Sequence, residues 1–194
     1  MTVSVVAVQR ELVERAIAGD FEAFSVLVRA STSRQYAIAT LILRDGDRAQ
    51  DAVQEALVAA WKGMRALRDP DAWVPWLHRL TVRACFQAAR RERRRTLVEL
   101  RVTPDREPST SGDASAGLAE RDRLERELGR LPIDQRAVIV LHFYLGLPLT
   151  EAAAILDIPA GTAKSRLHRG LQQMRSSMNA EPEAHLSLAR ERTT

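Results

Sequence analysis

Hydrophobic residues in the first half of the chain recur every three to four positions, which is the spacing of one face of an α-helix. A helix is predicted from Asp47, a suitable N-cap, to Met64. Its inward stripe combines small and large apolar residues: Ala49, Val53, Leu57, Ala60, Trp61 and Met64. Pro70 and Asp71 interrupt the pattern, and Asp71 is predicted to cap a second long helix that ends at about Arg95.

The middle of the chain, residues 96–117, has little hydrophobic periodicity and is rich in proline, serine and glycine. This composition is typical of a flexible linker. Beyond it the helical spacing returns, and four helices are predicted, at about 118–131, from Pro132 to Leu145, from Thr150 to Leu156 and from Thr162 to Met178. The second of these is so apolar that nearly all of it should be buried, including Ala137, Val138, Ile139, Val140, Leu141, Phe143 and Leu145.

No segment shows the alternation of hydrophobic and polar residues that marks a half-buried strand. We therefore predict an all-α protein made of two small helical domains joined by a flexible linker. The predicted boundaries are 1–95 for the first domain, 96–117 for the linker, 118–178 for the second domain and 179–194 for a weakly structured tail.

The last two predicted helices form a helix-turn-helix, because a tight turn at 157–161 joins them and alanines allow them to approach closely. The outward face of the final helix is basic and polar and lacks acids. Such a face suits the major groove of DNA, which admits an α-helix. It carries Lys164, Ser165, Arg166, His168, Arg169, Gln172 and Arg175. An ordinary helical hairpin with a solvated charged face is the alternative.

The helix predicted to begin at Asp71 carries a second basic face. Its stripe starts with Arg79, Arg83, Phe86 and Arg90 and continues with Arg91, Arg93, Arg94 and Arg95. Glu92 is the single acid between the first and last of these arginines, so the stripe should follow a phosphate backbone. Trp76, Phe86 and the loop at Leu67 offer apolar surfaces on which an unstacked base could lie, although Trp76 could equally belong to the core.

One helix face is acidic and polar instead. The helix predicted from Asp47 to Met64 places Asp47, Asp51, Gln54 and Glu55 opposite its apolar stripe. These carboxylates would repel DNA, so they fit a basic protein partner or an ordinary solvated surface.

Composition narrows the classes of protein that fit. The chain has 194 residues, 29 basic and 25 acidic, and only Lys62 and Lys164 of the basic ones are lysine. Arginine suits phosphate recognition because its planar fork makes paired hydrogen bonds, but genome composition could also explain the excess. The single cysteine, Cys85, excludes an intramolecular disulfide and a multi-cysteine zinc site. With no leader, no long apolar run and no glycine-rich phosphate loop, we expect a cytoplasmic protein without membrane insertion, enzymatic activity or cofactor.

These features, in this order, resemble a bacterial sigma factor of the extracytoplasmic-function (ECF) group over about residues 9–178. The resemblance is carried by Asp51-Ala52-Val53-Gln54-Glu55-Ala56-Leu57-Val58-Ala59-Ala60-Trp61, by Trp76-Leu77-His78-Arg79-Leu80, by Leu131-Pro132 with Gln135-Arg136, and by Ile158-Pro159-Ala160-Gly161-Thr162-Ala163-Lys164-Ser165-Arg166-Leu167. In such proteins these four motifs occur in the same order and at similar distances.

The resemblance implies a dissociable subunit that gives RNA polymerase its promoter specificity. Its core-polymerase-binding residues would be Asp47, Asp51, Gln54 and Glu55. Recognition of the −10 element, with capture of a flipped base, would fall to Leu67, Trp76, Arg79, Arg83, Phe86, Arg90, Arg91, Arg93 and Arg94. Recognition of the −35 element would fall to His142, Thr162, Lys164, Ser165, Arg166, His168, Arg169 and Gln172. An anti-sigma factor is a further implied partner.

This sequence departs from the family pattern at a few of those positions. Arg83 stands where many relatives carry asparagine, Leu67 where some carry an aromatic residue, and His142 where relatives can use arginine. These differences bear on which promoter is read. The alternatives are a helix-turn-helix regulator of the response-regulator type, a recombinase with a helix-turn-helix tail, and a polymerase-binding adaptor that does not read promoters.

Overall fold

The computed structural model describes the backbone of residues 2–99 and 116–191 and the side chains of residues 7–95 and 123–178. Two compact units divide the chain, Met1–Pro104 and Asp105–Thr194. Every regular element in the described ranges is helical, which confirms the all-α prediction. Helices extend into both ends of the predicted linker, to Glu99 and from Ala116; the rest of the linker lies outside the described residues.

Four helices build the first unit: α1 (Thr2–Ile17), α2 (Phe21–Leu43), α3 (Gly46–Gly63) and α4 (Trp73–Glu99). Two short 3₁₀ turns, Met64–Ala66 and Pro70–Ala72, lead from α3 to α4. The core joins Trp73 and Leu77 of α4 to Phe24 of α2. The face of α3 that packs inward is mostly alanine, and these small side chains let its backbone lie close to its neighbours.

Aspartates cap α3 and the 3₁₀ turn that precedes α4, but they are not the aspartates expected. The N-cap of α3 is Asp45, whose Oδ1 accepts a hydrogen bond of 2.8 Å from the Arg48 amide. The prediction that Asp47 is the cap is wrong. Asp47 lies within the first turn, because the helix already begins at Gly46. Asp69 likewise accepts from the Asp71 amide at 3.0 Å, so the predicted cap Asp71 sits inside the 3₁₀ turn and α4 begins at Trp73.

The described part of the second unit, residues 116–191, also contains four α-helices: α5 (Ala116–Arg130), α6 (Ile133–Ile139), α7 (Leu149–Leu156) and α8 (Ala160–Glu191). Arg136 fixes the corner between α5 and α6, because its Nη2 donates to the carbonyls of Gly129 and Leu131 at 2.9 and 2.8 Å. Helix α7 starts directly after Pro148 with no side-chain cap, so the predicted cap at Thr150 is wrong.

The apolar stretch after Pro132 is buried as predicted as far as Leu141, but not beyond it. Ala137, Val138 and Leu141 are fully buried, whereas Phe143 is 59% exposed. Val140–Tyr144 forms a π-helical turn that the Leu145 amide closes on the Val140 carbonyl at 3.2 Å. This wider turn changes the angular spacing of the side chains, and Phe143 therefore leaves the buried face.

Helix α8 is longer than predicted. Its backbone stays helical to Glu191, past the expected end near Met178, although Pro182 lies in this stretch. Alanine, leucine, glutamate and arginine, which favour a helix, make up most of it. Gly170 lies against α6. A Cβ at this position would be 2.8 Å from Ile139 Cδ1, so glycine permits the close approach of α6 and α8.

Candidate partner and nucleic-acid interfaces

The acidic stripe predicted on α3 is exposed. Ala49, Val53 and Ala60 are buried beneath it, which confirms that the helix separates a polar face from an apolar one. The outer face carries Asp47, Asp51, Gln54 and Glu55. Three of these, Asp51, Gln54 and Glu55, line a shallow cavity of about 450 Å³ together with Val58, Ala59 and Lys62. The face therefore presents carboxylates beside an exposed apolar residue, a surface suited to a basic protein partner.

An apolar groove of about 430 Å³ borders the acidic stripe and was not predicted. Trp61, expected in the core, is 36% exposed, and its ring lies 5.3 Å from that of Phe21 and 5.0 Å from that of Phe24. Val58 lines both the groove and the acidic cavity, so the two surfaces are continuous. One feature of the sequence indicated this groove, namely the apolar residue Val58 on the otherwise polar face of α3.

The basic face predicted on α4 is also present. Arg79, Arg83 and Arg90 are exposed, as are Arg93 and Arg94, and Phe86 is half-buried among them. The opposite face packs into the unit and buries Trp73, Leu77, Ala84, Cys85 and Ala88. Burial raises the pKa of the Cys85 thiol to about 12, so this cysteine is an unreactive core residue.

Arg91 departs from this pattern. Its Nη2 lies 2.8 Å from Glu55 Oε1, so an arginine predicted to contact DNA forms an ion pair with a carboxylate predicted to bind polymerase. Both side chains remain about half exposed, at 50% and 43%. An ion pair this exposed contributes little to stability. The acidic face of α3 and the basic face of α4 therefore adjoin within one unit.

Trp76 and Leu67, which the sequence offered as surfaces for an unstacked base, both pack against the core of the first unit and keep part of their surface exposed. The Trp76 ring lies 5.9 Å from that of Trp73, and a Cβ on Gly63 would be 3.1 Å from Trp76 Cζ2. In the 3₁₀ turn that follows this loop, Asp71 Oδ2 pairs with Arg10 Nη1 of α1 at 2.8 Å, but both side chains are more than half exposed and the pair adds little stability. Packing of Trp76 and Leu67 holds the region before α4 in place.

His78 is a buried residue beneath the basic face that sequence reasoning did not single out. It is 3% exposed, and its Nε2 has no hydrogen-bond partner among the described residues. Burial, with a smaller contribution from the charge of Arg34, lowers the pKa of His78 to about 4. The imidazole is therefore neutral at physiological pH and adds no charge to the basic face.

The helix-turn-helix is formed by α7 and α8. Asp157 ends α7 in the left-handed region, with φ of 54°, and the Ile158 amide donates to the Ala153 carbonyl at 3.1 Å. Ala152 and Ala163 are fully buried where the two helices meet. On the outer side of α8 the predicted residues Lys164, Ser165, His168, Arg169 and Gln172 are exposed, and Thr162 and Arg166 are half-buried.

Three members of the predicted −35 set have partners inside the second unit. Ser165 Oγ donates to the Gly161 carbonyl at 2.9 Å, one turn earlier in α8. His142 Nδ1 donates to the Leu147 carbonyl at 2.7 Å, which ties its ring to the turn before α7 and leaves only Nε2 for an outside partner. Arg166 Nε lies 3.2 Å from Asp134 Oδ2 at the start of α6. The starts of α6 and α8 border a polar cavity of about 420 Å³. It is lined by Asp134, Gln135, Gly161, Thr162, Ser165, Arg166 and Arg169.

Neither a metal centre nor a membrane-spanning helix is found in the described part of the chain. Its histidine, cysteine, aspartate and glutamate side chains form no group of three or more that could hold a metal ion. Across residues 2–99 and 116–191, no helix is both long enough and apolar enough to cross a membrane.

Known proteins are similar to this chain in sequence. The family model for Sigma-70 region 2 matches residues 27–95, and that for Sigma-70 region 4 matches residues 121–174. The chain is 32% identical over 159 residues to the ECF RNA polymerase sigma factor SigM of Mycobacterium tuberculosis, which covers 82% of this chain and 79% of that protein. It is 32% identical over 171 residues to the ECF RNA polymerase sigma-E factor of Escherichia coli. This match covers 81% of this chain and 87% of that protein.

Two solved structures are similar in fold. CnrH in complex with the cytosolic domain of CnrY matches with a TM-score of 0.65 and 25% identity, over 89% of this chain and 98% of that one. The sigma factor RpoE in complex with the anti-sigma factor NepR from Bartonella quintana matches with a TM-score of 0.65 and 25% identity, over 80% and 96%.

Proposed function

Because the chain belongs to the extracytoplasmic-function (ECF) family of RNA polymerase sigma factors, we propose that its exposed helix faces divide the work of promoter recognition. The protein binds core RNA polymerase and directs promoter-specific, DNA-templated initiation of transcription. RNA synthesis belongs to the polymerase, so this chain contributes binding surfaces and no catalytic residue. It acts in the cytoplasm, where polymerase and promoters meet.

Core polymerase binds the outer face of α3. Asp47, Asp51, Gln54 and Glu55 supply hydrogen-bond acceptors for a basic partner, and the adjoining groove at Trp61 supplies apolar contact area. A protein interface needs both kinds of surface, an apolar centre and a polar rim. The continuity of the groove and the acidic cavity through Val58 supports this assignment.

The −10 element binds the basic face of α4. The exposed guanidinium groups of Arg79, Arg83 and Arg90, with those of Arg93 and Arg94, neutralise phosphates, and Phe86 offers an apolar surface among them. Arg91 joins this set once its ion pair with Glu55 is released. Extruding a base costs a few kcal/mol, which contacts to the displaced strand must offset. Trp76 and Leu67 shape the loop that would receive the base, through their packing and their exposed edges.

The −35 element binds the outer face of α8 in the major groove. Lys164, Ser165, His168 and Arg169 point outward near its N-terminus, where a recognition helix reaches base edges. Thr162, Arg166 and Gln172 flank them and contact the backbone, with His142 Nε2 beside the helix. Because both units bind one promoter, each DNA contact raises the effective concentration of the other.

The observation that carries this proposal is the separation of charge by helix face. Carboxylates are exposed on α3, while arginines are exposed on α4 and basic and polar residues on α8. Run-off transcription from a genomic promoter library, with core polymerase alone and with this chain added, tests it. We expect a subset of promoters to start only with the chain present. If a complex with core polymerase forms and no promoter responds, the chain acts as a polymerase-binding adaptor and the proposal fails.

An anti-sigma factor is a second proposed partner. CnrH was solved with the cytosolic domain of CnrY, and RpoE with the anti-sigma factor NepR. Both resemble this chain over four fifths or more of its length. We therefore propose that an anti-sigma protein competes with core polymerase for this chain.

A further inference from the structure

An acid stands at the border of the face that is proposed to bind the −35 element. Asp134, in the first turn of α6, lies with its Oδ2 3.2 Å from Nε of Arg166 on α8. The two side chains are 38% and 28% exposed, respectively. Both line the polar cavity that also contains Arg169. A carboxylate here would repel a DNA phosphate. Its position beside Arg166 and Arg169, on a face proposed to bind DNA, therefore needs an explanation.

The atoms used in the pair supply that reason. An arginine guanidinium is planar and carries five N–H donors in a fixed fork. Asp134 contacts Nε, and this contact leaves the two terminal nitrogens of Arg166 available for another acceptor. A carboxylate bound at one edge of the fork restricts rotation of the side chain and so directs the opposite edge. Such an arginine loses less conformational freedom when it binds a phosphate.

The backbone on which this pair is built is fixed. One helical turn beyond Arg166, Gly170 lies against Gln135 and Ile139 of α6, and a Cβ there would be 2.8 Å from Ile139 Cδ1. Helices α6 and α8 therefore approach closely next to the pair. This packing sets the separation of the backbones that carry Asp134 and Arg166, and the ion pair positions the Arg166 guanidinium upon them.

We propose that Asp134 is a positioning residue for −35 recognition, which holds Arg166 with its terminal nitrogens directed at a phosphate of the upstream element. This inference rests on the proposed function, since it assumes that α8 binds the −35 element. It predicts an effect opposite in sign to simple electrostatics. Removing a negative charge near DNA should strengthen binding, whereas removing a residue that orients an arginine should weaken it.

The test measures binding of holoenzyme, assembled from core polymerase and the full chain, to a promoter found by run-off transcription. Asp134→Asn is compared with Asp157→Asn. Asp157 is an exposed acid in the helix-turn-helix turn with no ion-pair partner among the described residues, and asparagine tolerates its left-handed backbone. We expect Asp134→Asn to weaken binding about threefold to tenfold and Asp157→Asn to leave it unchanged or slightly stronger. Unchanged or stronger binding by Asp134→Asn overturns the proposal.

Two further measurements separate positioning from loss of fold. Combining Asp134→Asn with Arg166→Ala should weaken binding no more than Arg166→Ala alone, and both single variants should reduce the salt dependence of binding by about one released counterion. Additive losses contradict the proposal. On a template truncated so that it lacks the upstream element and its phosphates, Asp134→Asn and the wild type should bind equally, and a loss there as large as on the full promoter also contradicts the proposal. If wild-type holoenzyme does not distinguish the two templates, the −35 assignment itself fails.

Discussion

Single aspartate side chains cap the starts of α2 and α3 in the first unit. Asp20 and Asp45 each accept a backbone amide with one carboxylate oxygen and pair with an arginine through the other. The Arg48 amide, followed by the Arg48 side chain, holds the pKa of Asp45 below its usual value, and the Ala23 amide does the same for Asp20. Sequence could identify aspartates near a helix start, but it could not choose between Asp45 and Asp47. That choice depends on which residue has an extended backbone.

Asp45→Ala should lower the free energy of unfolding by about 1 kcal/mol at neutral pH, the usual cost of losing an N-cap. Asp47→Ala is the matched control and should lower the free energy of unfolding by only about 0.3 kcal/mol, since Asp47 acts through the helix dipole alone. The folded-state pKa of Asp45 is lowered, so its contribution is present above about pH 4 and disappears as the pH falls through the lowered value. Urea unfolding at several pH values measures both effects, and equal losses for the two variants would contradict the assignment of the cap.

Hydrophobic spacing predicted which faces of the helices are buried. Ala49 and Val53 of α3 are buried as expected, and Leu77 and Ala88 of α4 are buried opposite the predicted basic stripe, because each helix packs against one side only. The two errors have local causes. Phe143 is exposed because a π-helical turn changes the spacing, and Trp61 is partly exposed because its ring lies at the edge of a groove shared with α2. The spacing of apolar residues along one helix predicts neither the π-helical turn nor the groove.

Gly170 provides a test of packing between elements. In the wild type, the Cβ of Gly170→Ala would be 2.8 Å from Ile139 Cδ1, so the gain in helix propensity, up to about 1 kcal/mol, is opposed by overpacking. Ile139→Val removes that methyl group. We expect Gly170→Ala to be more favourable in the Ile139→Val background than in the wild type, by about 1 kcal/mol. A double-mutant cycle from chemical unfolding measures this coupling, and additive free energies would show that the contact is unimportant.

For the whole molecule, the net charge of +4 conceals an uneven distribution. Acids are exposed on α3, and arginines on α4 and α8. The near balance is therefore consistent with two nucleic-acid surfaces and one protein surface on a single chain. The Arg91–Glu55 ion pair marks the border between the acidic and basic faces of the first unit. Because Glu55 has this partner, Asp51 is the cleaner position at which to test the acidic face.

Asp51→Arg should weaken binding of the chain to core polymerase by tenfold or more, because it places a positive charge opposite a basic partner; adding Glu55→Arg should weaken it further. Arg169→Ala should leave polymerase binding unchanged and reduce transcription from promoters that depend on the upstream element. Affinity for core polymerase and run-off transcription are measured for each variant. Equal losses of both variants in both measurements would contradict the proposed division of the surfaces.

The sequence by itself determined the helical class, the two units, the inward and outward faces and the family, because these depend on local spacing, composition and motifs. The tertiary structure decided which polar side chains have partners. Arg91 meets Glu55 across 36 positions of chain, and Arg166 meets Asp134 from another helix. Such pairs, like the groove between α2 and α3, depend on how helices pack. Packing is set by contacts between residues distant in sequence, which periodicity along one helix does not encode.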